Sequence, residues 1–313
     1  VTRILTLTLN PAIDRTVTLD RLVPGEVHRA RAVRDDAGGK GINVASCLAD
    51  WGLPVTAAGV LGAGNAAAFE ALFAAKGIAD RCLRVGGETR INLKLVDPAG
   101  TTDVNLPGLA VDPATLRAVR AMLAETAGPD TLVVLAGSLP AGAGTGLYAE
   151  LTADLKARGG RVLLDASGPP LAAALAAAPL PDMVKPNRHE LEEWAGRPLP
   201  TLADVVEAAR DLVRRGIALV VVSLGAEGAV FVRGTEALHA LAPAIAVAST
   251  VGAGDALVAG LVAGLVADLS LAGTARLALA FAAGKLTRAG ANLPGRAPVE
   301  AIARTIDVQA LTA

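Results

Sequence analysis

A chain of 313 residues with 52% hydrophobic content can bury a large core, either as one α/β domain or as a domain with an appendage. A net charge of −1 supplies no field for nucleic acid or an anionic membrane, and 2% aromatic content leaves no platform for base stacking. Two cysteines, Cys47 and Cys82, make neither a disulfide framework nor a zinc spacing and suit a reducing cytoplasm, while three scattered histidines argue against a histidine metal cluster.

In chain order, strands alternate with helices. Arg3 to Leu9 reads as an apolar strand that ends at the turn signal Asn10-Pro11, with no long apolar core of the signal-peptide kind before it. Ile13 to Leu19 alternates again and places Asp14, Thr16 and Thr18 on one face. The oxygens of Asp14 suit sugar hydroxyls if the strand borders a cleft; otherwise the acid is merely solvated. Gly38, Gly39 and Gly41 permit close backbone approach just before a helix expected from about Ile42 to Trp51, with Lys40 as a cation and Asn43 on the first turn. This is neither a Walker A loop nor a dinucleotide fingerprint. A further strand near Arg90 puts Arg90, Asn92 and Lys94 on one face, a set suited equally to a phosphate and to a solvated sheet surface. After a turn at Asp97 to Gly100, another strand is expected near Thr101 to Leu106. These strands, with Ile13 to Leu19 and the run after Pro24-Gly25, look like a small sheet interrupting the alternation, at about 11–35 and 87–107, as a lid does.

Thr131 to Ala136 and Arg161 to Leu164 read as buried strands that deliver Ser138 and Asp165 to their carboxyl ends, where open α/β sheets bind ligands. Met183 to Lys185 leads into Pro186-Asn187-Arg-His-Glu190, where Asn187 and Glu190 have the spacing of a helix N-terminal capping box. The same pair could instead hold water around magnesium, with Lys185 on phosphate. Ala218 to Ser223 is another apolar strand, and Gly225-Ala-Glu-Gly228 turns the chain into Ala229 to Val232, as a hairpin or as a close approach to a purine.

The run Ser249-Thr-Val-Gly-Ala-Gly-Asp255 opens a helix that is apolar on every side from Ala256 to Ala267, hence buried, and too short for a membrane span of roughly 20 residues. Gly260 and Gly264, one turn apart, invite another backbone against that side. Gly252, Ala253 and Gly254 present free N–H groups at a positive helix end, a site for an anion. On this heptapeptide alone, Asp255 reads more readily as a helix cap than as a chemical group.

Taken together, Asn10-Pro11-Ala-Ile-Asp14, Gly38-Gly39-Lys40-Gly41-Ile-Asn43, Thr89-Arg90-Ile-Asn92, Gly137-Ser138-Leu-Pro140, Lys185-Pro-Asn187-Arg-His-Glu190, Ser223-Leu-Gly225-Ala-Glu-Gly228 and Thr250-Val-Gly-Ala-Gly-Asp255 resemble the PfkB (ribokinase-like) sugar kinases over essentially the whole chain. The resemblance implies a single kinase domain, a three-layer α/β/α core with a β lid. It is greatest to members that phosphorylate fructose 1-phosphate; those acting on tagatose 6-phosphate or fructose 6-phosphate share much of these motifs, although the latter tend to carry glycine where Lys40 stands. On these residues it implies Asp14, Gly38, Gly39 and Asn43 on sugar hydroxyls. Arg90 and Lys94, with Asn92, Lys40 and Ser138, would surround the phosphate already on the substrate. Lys185, Asn187, Ser223, Gly225 and Gly228 would line an ATP site, and Asn187, Glu190 and Asp165 would support magnesium through water. Gly252, Ala253 and Gly254 would bind the charge developing on the transferred phosphoryl group, and Asp255 would accept the proton of the attacking hydroxyl. The helix N-terminus is expected to lower the pKa of Asp255. Potassium dependence, a cytoplasmic location and a homodimer through the lid, with edge strands at Ile13 and Ile91 inviting pairing, complete the implied picture. A sugar-phosphate sensor without catalysis is the reading from another class, and a retained Asp255 argues against it.

Overall fold

The computed structural model describes residues 2–245, 252–288, 290 and 292–311. The first part of the chain forms β1 (Arg3–Thr8), β2 (Ala12–Thr18), β3 (Ala32–Gly38), α1 (Lys40–Asp50), β4 (Val55–Gly62), α2 (Ala67–Lys76), β5 (Ala79–Val85), β6 (Arg90–Asp97) and β7 (Gly100–Asn105). Then come α3 (Pro113–Thr126), β8 (Thr131–Ala136), α4 (Leu147–Ala157), β9 (Arg161–Asp165), α5 (Gly168–Ala176), β10 (Met183–Val184), α6 (Arg188–Ala195), α7 (Leu202–Arg214) and β11 (Leu219–Ser223). The remainder is β12 (Ala229–Arg233), β13 (Glu236–Ala240), α8 (Ala253–Val266), α9 (Leu271–Leu286), α10 (Arg296–Thr305) and β14 (Val308–Ala310).

Ten strands make the main sheet in the order β14-β13-β12-β11-β10-β9-β8-β1-β4-β5, parallel from β11 to β5 and antiparallel beyond β11. Covering both faces of a parallel sheet requires strands apolar on both sides, and every residue of β8 is buried. One face packs Ile42, Phe69, Val258, Phe281 and Val299 from α1, α2, α8, α9 and α10. The other packs Val119, Tyr148, Leu171, Leu191 and Val205 from α3 to α7. The result is the expected three-layer α/β/α core. Helix α8 is buried nearly throughout, and its glycines have a steric reason. A Cβ on Gly260 would lie 2.6 Å from Ala278 Cα, and one on Gly264 would lie 3.0 Å from Thr274 Cα, both on α9. Among the described residues, no helix is long and apolar enough to cross a membrane.

A separate four-stranded sheet has the order β3-β2-β6-β7. Ile13 and Ile91 are in register on adjacent parallel strands, so the expectation that they lie on free edges is wrong. Each strand folds back into an antiparallel partner, β2 into β3 and β6 into β7, which leaves β3 and β7 as the edges. Val33, Val104 and Leu106, on and just beyond those outer strands, are exposed. The small sheet is joined directly to the core: β3 ends at Gly38, opposite Ala12, and Gly39 at φ 118° turns the chain into α1. Any side chain at Gly39 would meet Thr8 Cγ2 at 2.9 Å.

Strand β1 lies between β8 and β4, so the chain winds in opposite directions on either side of the β1–β8 boundary. Such a switch point opens a crevice at the carboxyl ends of the strands. Asn10 follows β1 and Ser138 follows β8, and their side chains hydrogen-bond across this boundary at 3.0 Å.

Candidate active site

Gly252, in the left-handed conformation at φ 80°, is the N-cap of α8. The first intrahelical donor is Ala256 N, bonded to Gly252 O at 2.9 Å, so the N–H groups of Ala253, Gly254 and Asp255 precede the helical ladder. Gly252 has no side chain with which to cap the helix, and among the described residues Asp255, in the first turn, makes no capping bond. Its Oδ2 instead accepts a 2.7 Å hydrogen bond from Asn43 Nδ2 on α1, in a buried setting. Ser249, Thr250 and Val251 of the same signature lie outside the described residues. Burial, reinforced by repulsion from Asp165, pushes the Asp255 carboxyl up to about 6, against the Asn43 bond and the attraction of Lys40 and Lys185. This reverses the expectation of a pKa lowered by the helix terminus. Removing the carboxylate from water is the largest cause of the rise.

Asp165, at the end of β9, is 1% exposed and its Oδ1 takes both Lys40 Nζ at 3.1 Å and Lys185 Nζ at 3.2 Å. Burial alone would raise its pKa, but the two ammonium groups hold it below the usual carboxylate range. Lys40, in turn, is raised because Asp165 and Asp255 overcome its own burial. Oδ2 of Asp165 is buried with no partner among the described residues. Lys185 also faces the start of α8, since a Cβ on Gly254 would be 3.9 Å from its Nζ. Two lysines, two carboxylates and the N-terminus of α8 thus converge at the carboxyl ends of the strands.

A cavity beside them is lined by Asp14, Thr16, Arg34, Asp36, Asn43, Lys94, Gly252, Lys285 and Gly290. Asp14 is held from β6, accepting from Asn92 Nδ2 at 3.2 Å and lying 3.5 Å from Lys94 Nζ. The cationic set expected around one phosphate is divided. Lys94 is committed to Asp14, and Lys40 to Asp165. Arg90, four residues before Lys94 and hence about 13 Å away along the strand, turns instead toward the Asn10 crossing. There it donates to the carbonyls of Pro11 at 3.3 Å and of Asn10 and Leu106 at 3.4 Å. These are long bonds to neutral acceptors, and burial lowers its pKa against an opposing attraction from Asp14. Arg90, Asn10 and exposed Ser138 therefore lie together at one end of the crevice, Lys94 lies at the other, and Asp14, opposite Asn92, stands between them.

On the β11 side, Asn187 and Glu190 form the capping box of α6: Asn187 Oδ1 accepts from Glu190 N, and Glu190 Oε2 accepts from Asn187 N, both at 2.8 Å. Ser223 N donates to Pro186 O at 3.0 Å, which brings the end of β11 beside that box. Gly225 (φ 62°) faces open space, so its backbone is approachable. Gly228 differs: its Cβ would strike Ala240 O at 2.0 Å, and the hairpin with β13 explains it without any ligand.

The sequence model of pfkB family carbohydrate kinases matches residues 7–297. The chain belongs to this family. A 1-phosphofructokinase of Xanthomonas campestris pv. campestris is 57% identical over 282 residues, covering 88% of this chain and 89% of that protein. A 1-phosphofructokinase of Rhodobacter capsulatus is 53% identical, covering 99% and 98%. Among solved structures, phosphofructokinase-2 from Escherichia coli in complex with potassium superposes with a TM-score of 0.91 at 30% identity, covering 97% of this chain and 99% of that one.

Sequence reasoning missed several groups in the cavity of this pfkB-family chain. Arg34 and Asp36 line it as an ion pair at 2.9 Å, and they are invisible in sequence because β3 was expected only vaguely after Pro24-Gly25. Asn10 read only as a turn signal. Lys285 is the clearest omission: it is 1% exposed and opens onto the cavity beside Gly252. A signal was available, for α9 runs LAGTARLALAFAAGKL and a lone lysine near the end of so apolar a helix invites a question.

Proposed function

We propose that this chain phosphorylates fructose 1-phosphate with ATP, giving fructose 1,6-bisphosphate and ADP. Its membership of the carbohydrate kinases and its 57% and 53% identity to two 1-phosphofructokinases support the reaction and the substrate. The observation that carries the chemistry is Asp255, bonded to Asn43 in the first turn of α8 and adjoining a cavity rich in hydroxyl-binding and cationic groups. As the acceptor oxygen bonds to the terminal phosphorus, the bond from that phosphorus to the ADP oxygen breaks and the hydroxyl proton passes to Asp255. The amides of Gly252, Ala253 and Gly254 bind the charge on the phosphoryl oxygens. With its pKa at about 6, Asp255 is ionised at neutral pH yet basic enough to take the proton.

Asp14, Asn43 and the Gly38–Gly39 backbone hold sugar hydroxyls. Arg90 and Ser138, at the far end of the crevice, take the phosphate already on the sugar, with Asn92, Lys94 and Lys40 setting the charge between. ATP lies along Lys185, Asn187, Ser223 and Gly225. Magnesium brought with it finds a fitting partner in the uncommitted buried Oδ2 of Asp165, with Asn187 and Glu190 reached through water. Potassium belongs to the same reading and is tested by replacing it with tetramethylammonium in the assay. The four-stranded sheet acts as a lid that excludes water, and its exposed Val33, Val104 and Leu106 suit pairing of two lids in a cytoplasmic homodimer. A coupled ADP-release assay against fructose 1-phosphate, fructose 6-phosphate and tagatose 6-phosphate tests the substrate. A preference for either of the last two overturns it, and no turnover with any of them favours a sensor.

A further inference from the structure

Three cations line the cavity, and two are neutralised: Arg34 by Asp36 at 2.9 Å and Lys94 by Asp14 at 3.5 Å. The third, Lys285, is the most buried. Among the described residues it forms no ion pair, and its ammonium makes a single hydrogen bond, a 3.4 Å one to the carbonyl of Arg288. A buried charge without a counter-ion is costly and normally neutralises or finds a partner. Burial accordingly lowers the pKa of Lys285, with Lys94 adding to the effect and Cys47, Asp255 and Asp36 opposing it.

Its position narrows what ligand would answer that charge. A methyl group placed on Gly252 would lie 3.3 Å from Lys285 Cε, 3.9 Å from Asn43 Nδ2 and 3.9 Å from Asp255 Oδ2. The N-cap of α8, the Asn43–Asp255 pair and the Lys285 side chain therefore meet at one point. Gly252 leaves that point open, and a methyl there would sit tightly against Lys285. Arg90 and Ser138, the groups suited to the phosphate the sugar already carries, are at the other end of the crevice. The end of the Lys285 stem thus lies beside the place where charge changes during reaction.

We propose that Lys285 is a further catalytic residue, its ammonium binding the phosphoryl group as that group passes to the sugar hydroxyl beside Asp255. This rests on the kinase reading above. The bonds made and broken are those already given. Lys285 exchanges no proton; it supplies the counter-charge on the cavity side, while the amides of α8 supply it from the helix end.

The test compares wild type with Lys285→Met, which keeps length and apolar stem, in steady-state kinetics, thermal melting and inhibition by aluminium fluoride with ADP and magnesium, a mimic of the phosphoryl group in transfer. The sugar phosphate is the one that wild type turns over fastest, so a wrong substrate assignment appears in wild type alone and leaves the comparison intact. The expected result is a fall in kcat of about 100-fold, the scale of losing one preorganised charge-stabilising donor. KM for both substrates should stay within about three-fold, aluminium fluoride inhibition should weaken in parallel with kcat, and Tm should hold or rise. A kcat within three-fold of wild type overturns the proposal. So does a rise in KM for the sugar phosphate alone, which would assign Lys285 to the phosphate already present. If Lys285→Met melts lower, Lys285→Gln is measured for fluoride inhibition relative to sugar-phosphate affinity. Equal loss of both then marks a structural tie to Arg288 and overturns the assignment, whereas selective loss of fluoride inhibition upholds it.

Discussion

Asp255 is held in a state the fold disfavours, and Asp255→Asn should show it by inactivating the protein while stabilising it. The carboxyl rises from an ordinary 3.8 to about 6 because burial and the nearby Asp165 penalise its charged form. Two units correspond to about 3 kcal/mol of differential interaction between the protonation states. The sign follows from linkage. A group whose folded pKa lies above its unfolded value favours the fold fully below about pH 4, and that contribution is lost as pH rises through about 6. At pH 7 the ionised Asp255 therefore costs the fold up to about 3 kcal/mol, and a neutral asparagine removes the cost. The asparagine can still accept the bond from Asn43 through its own oxygen, so the packing around Gly252 is kept. Urea unfolding of both proteins from pH 5 to 8 is the assay. The gain should be near its maximum at pH 7 to 8, worth on the order of 5 °C in Tm for a chain of this length, and about half as large in free energy at pH 5. Turnover should fall by several orders of magnitude, with sugar-phosphate binding retained. A variant that is less stable than wild type at neutral pH, or whose gain is independent of pH, would refute the reasoning and make Asp255 a structural tie.

The same pKa places the acid limb of kcat/KM near pH 6, with activity lost below it, as measured by a pH profile with saturating ATP. Asp165→Asn should move that limb to lower pH, because Asp165 is a cause of the raised value, and should cost about 3–5 kcal/mol by leaving Lys40 and Lys185 adjacent and unpaired. Chemical denaturation at pH 7.5 reads the second effect. Arg90→Ala should raise KM for the sugar phosphate by one to two orders of magnitude, more than it lowers kcat; an unchanged KM would place the substrate's phosphate elsewhere. Gly260→Ala should destabilise by about 1–3 kcal/mol or more, since the methyl group would come 2.6 Å from the α9 backbone at Ala278, and a lower urea midpoint checks this.

The fold was legible where a single physical rule governed a segment. β8 came out with both predicted ends because six apolar residues between turn signals admit little else, and the Gly260–Gly264 spacing announced the backbone of α9. Residues joined by local hydrogen bonds were legible too: the capping box of Asn187 and Glu190 is written in their spacing. Pairing was not. Period-two alternation says which way Ile13 and Ile91 point but carries nothing about which strand lies beside them, so two central strands read as edges. Nor does alternation say that Lys94 lies against Asp14 while Arg90 reaches the carbonyls around Asn10. The failure over Asp255 has a deeper cause. A helix terminus is visible in sequence and its dipole has a known sign, whereas desolvation depends on what covers the residue from α1 and on where Asp165 ends its strand, both set by tertiary packing. Burial prevails at Asp255, where repulsion from Asp165 adds to it, and loses at Asp165, where two ammonium groups sit within hydrogen-bond reach. That is why the electrostatics of this crevice, and Lys285 most of all, could be read only after the elements had been assembled.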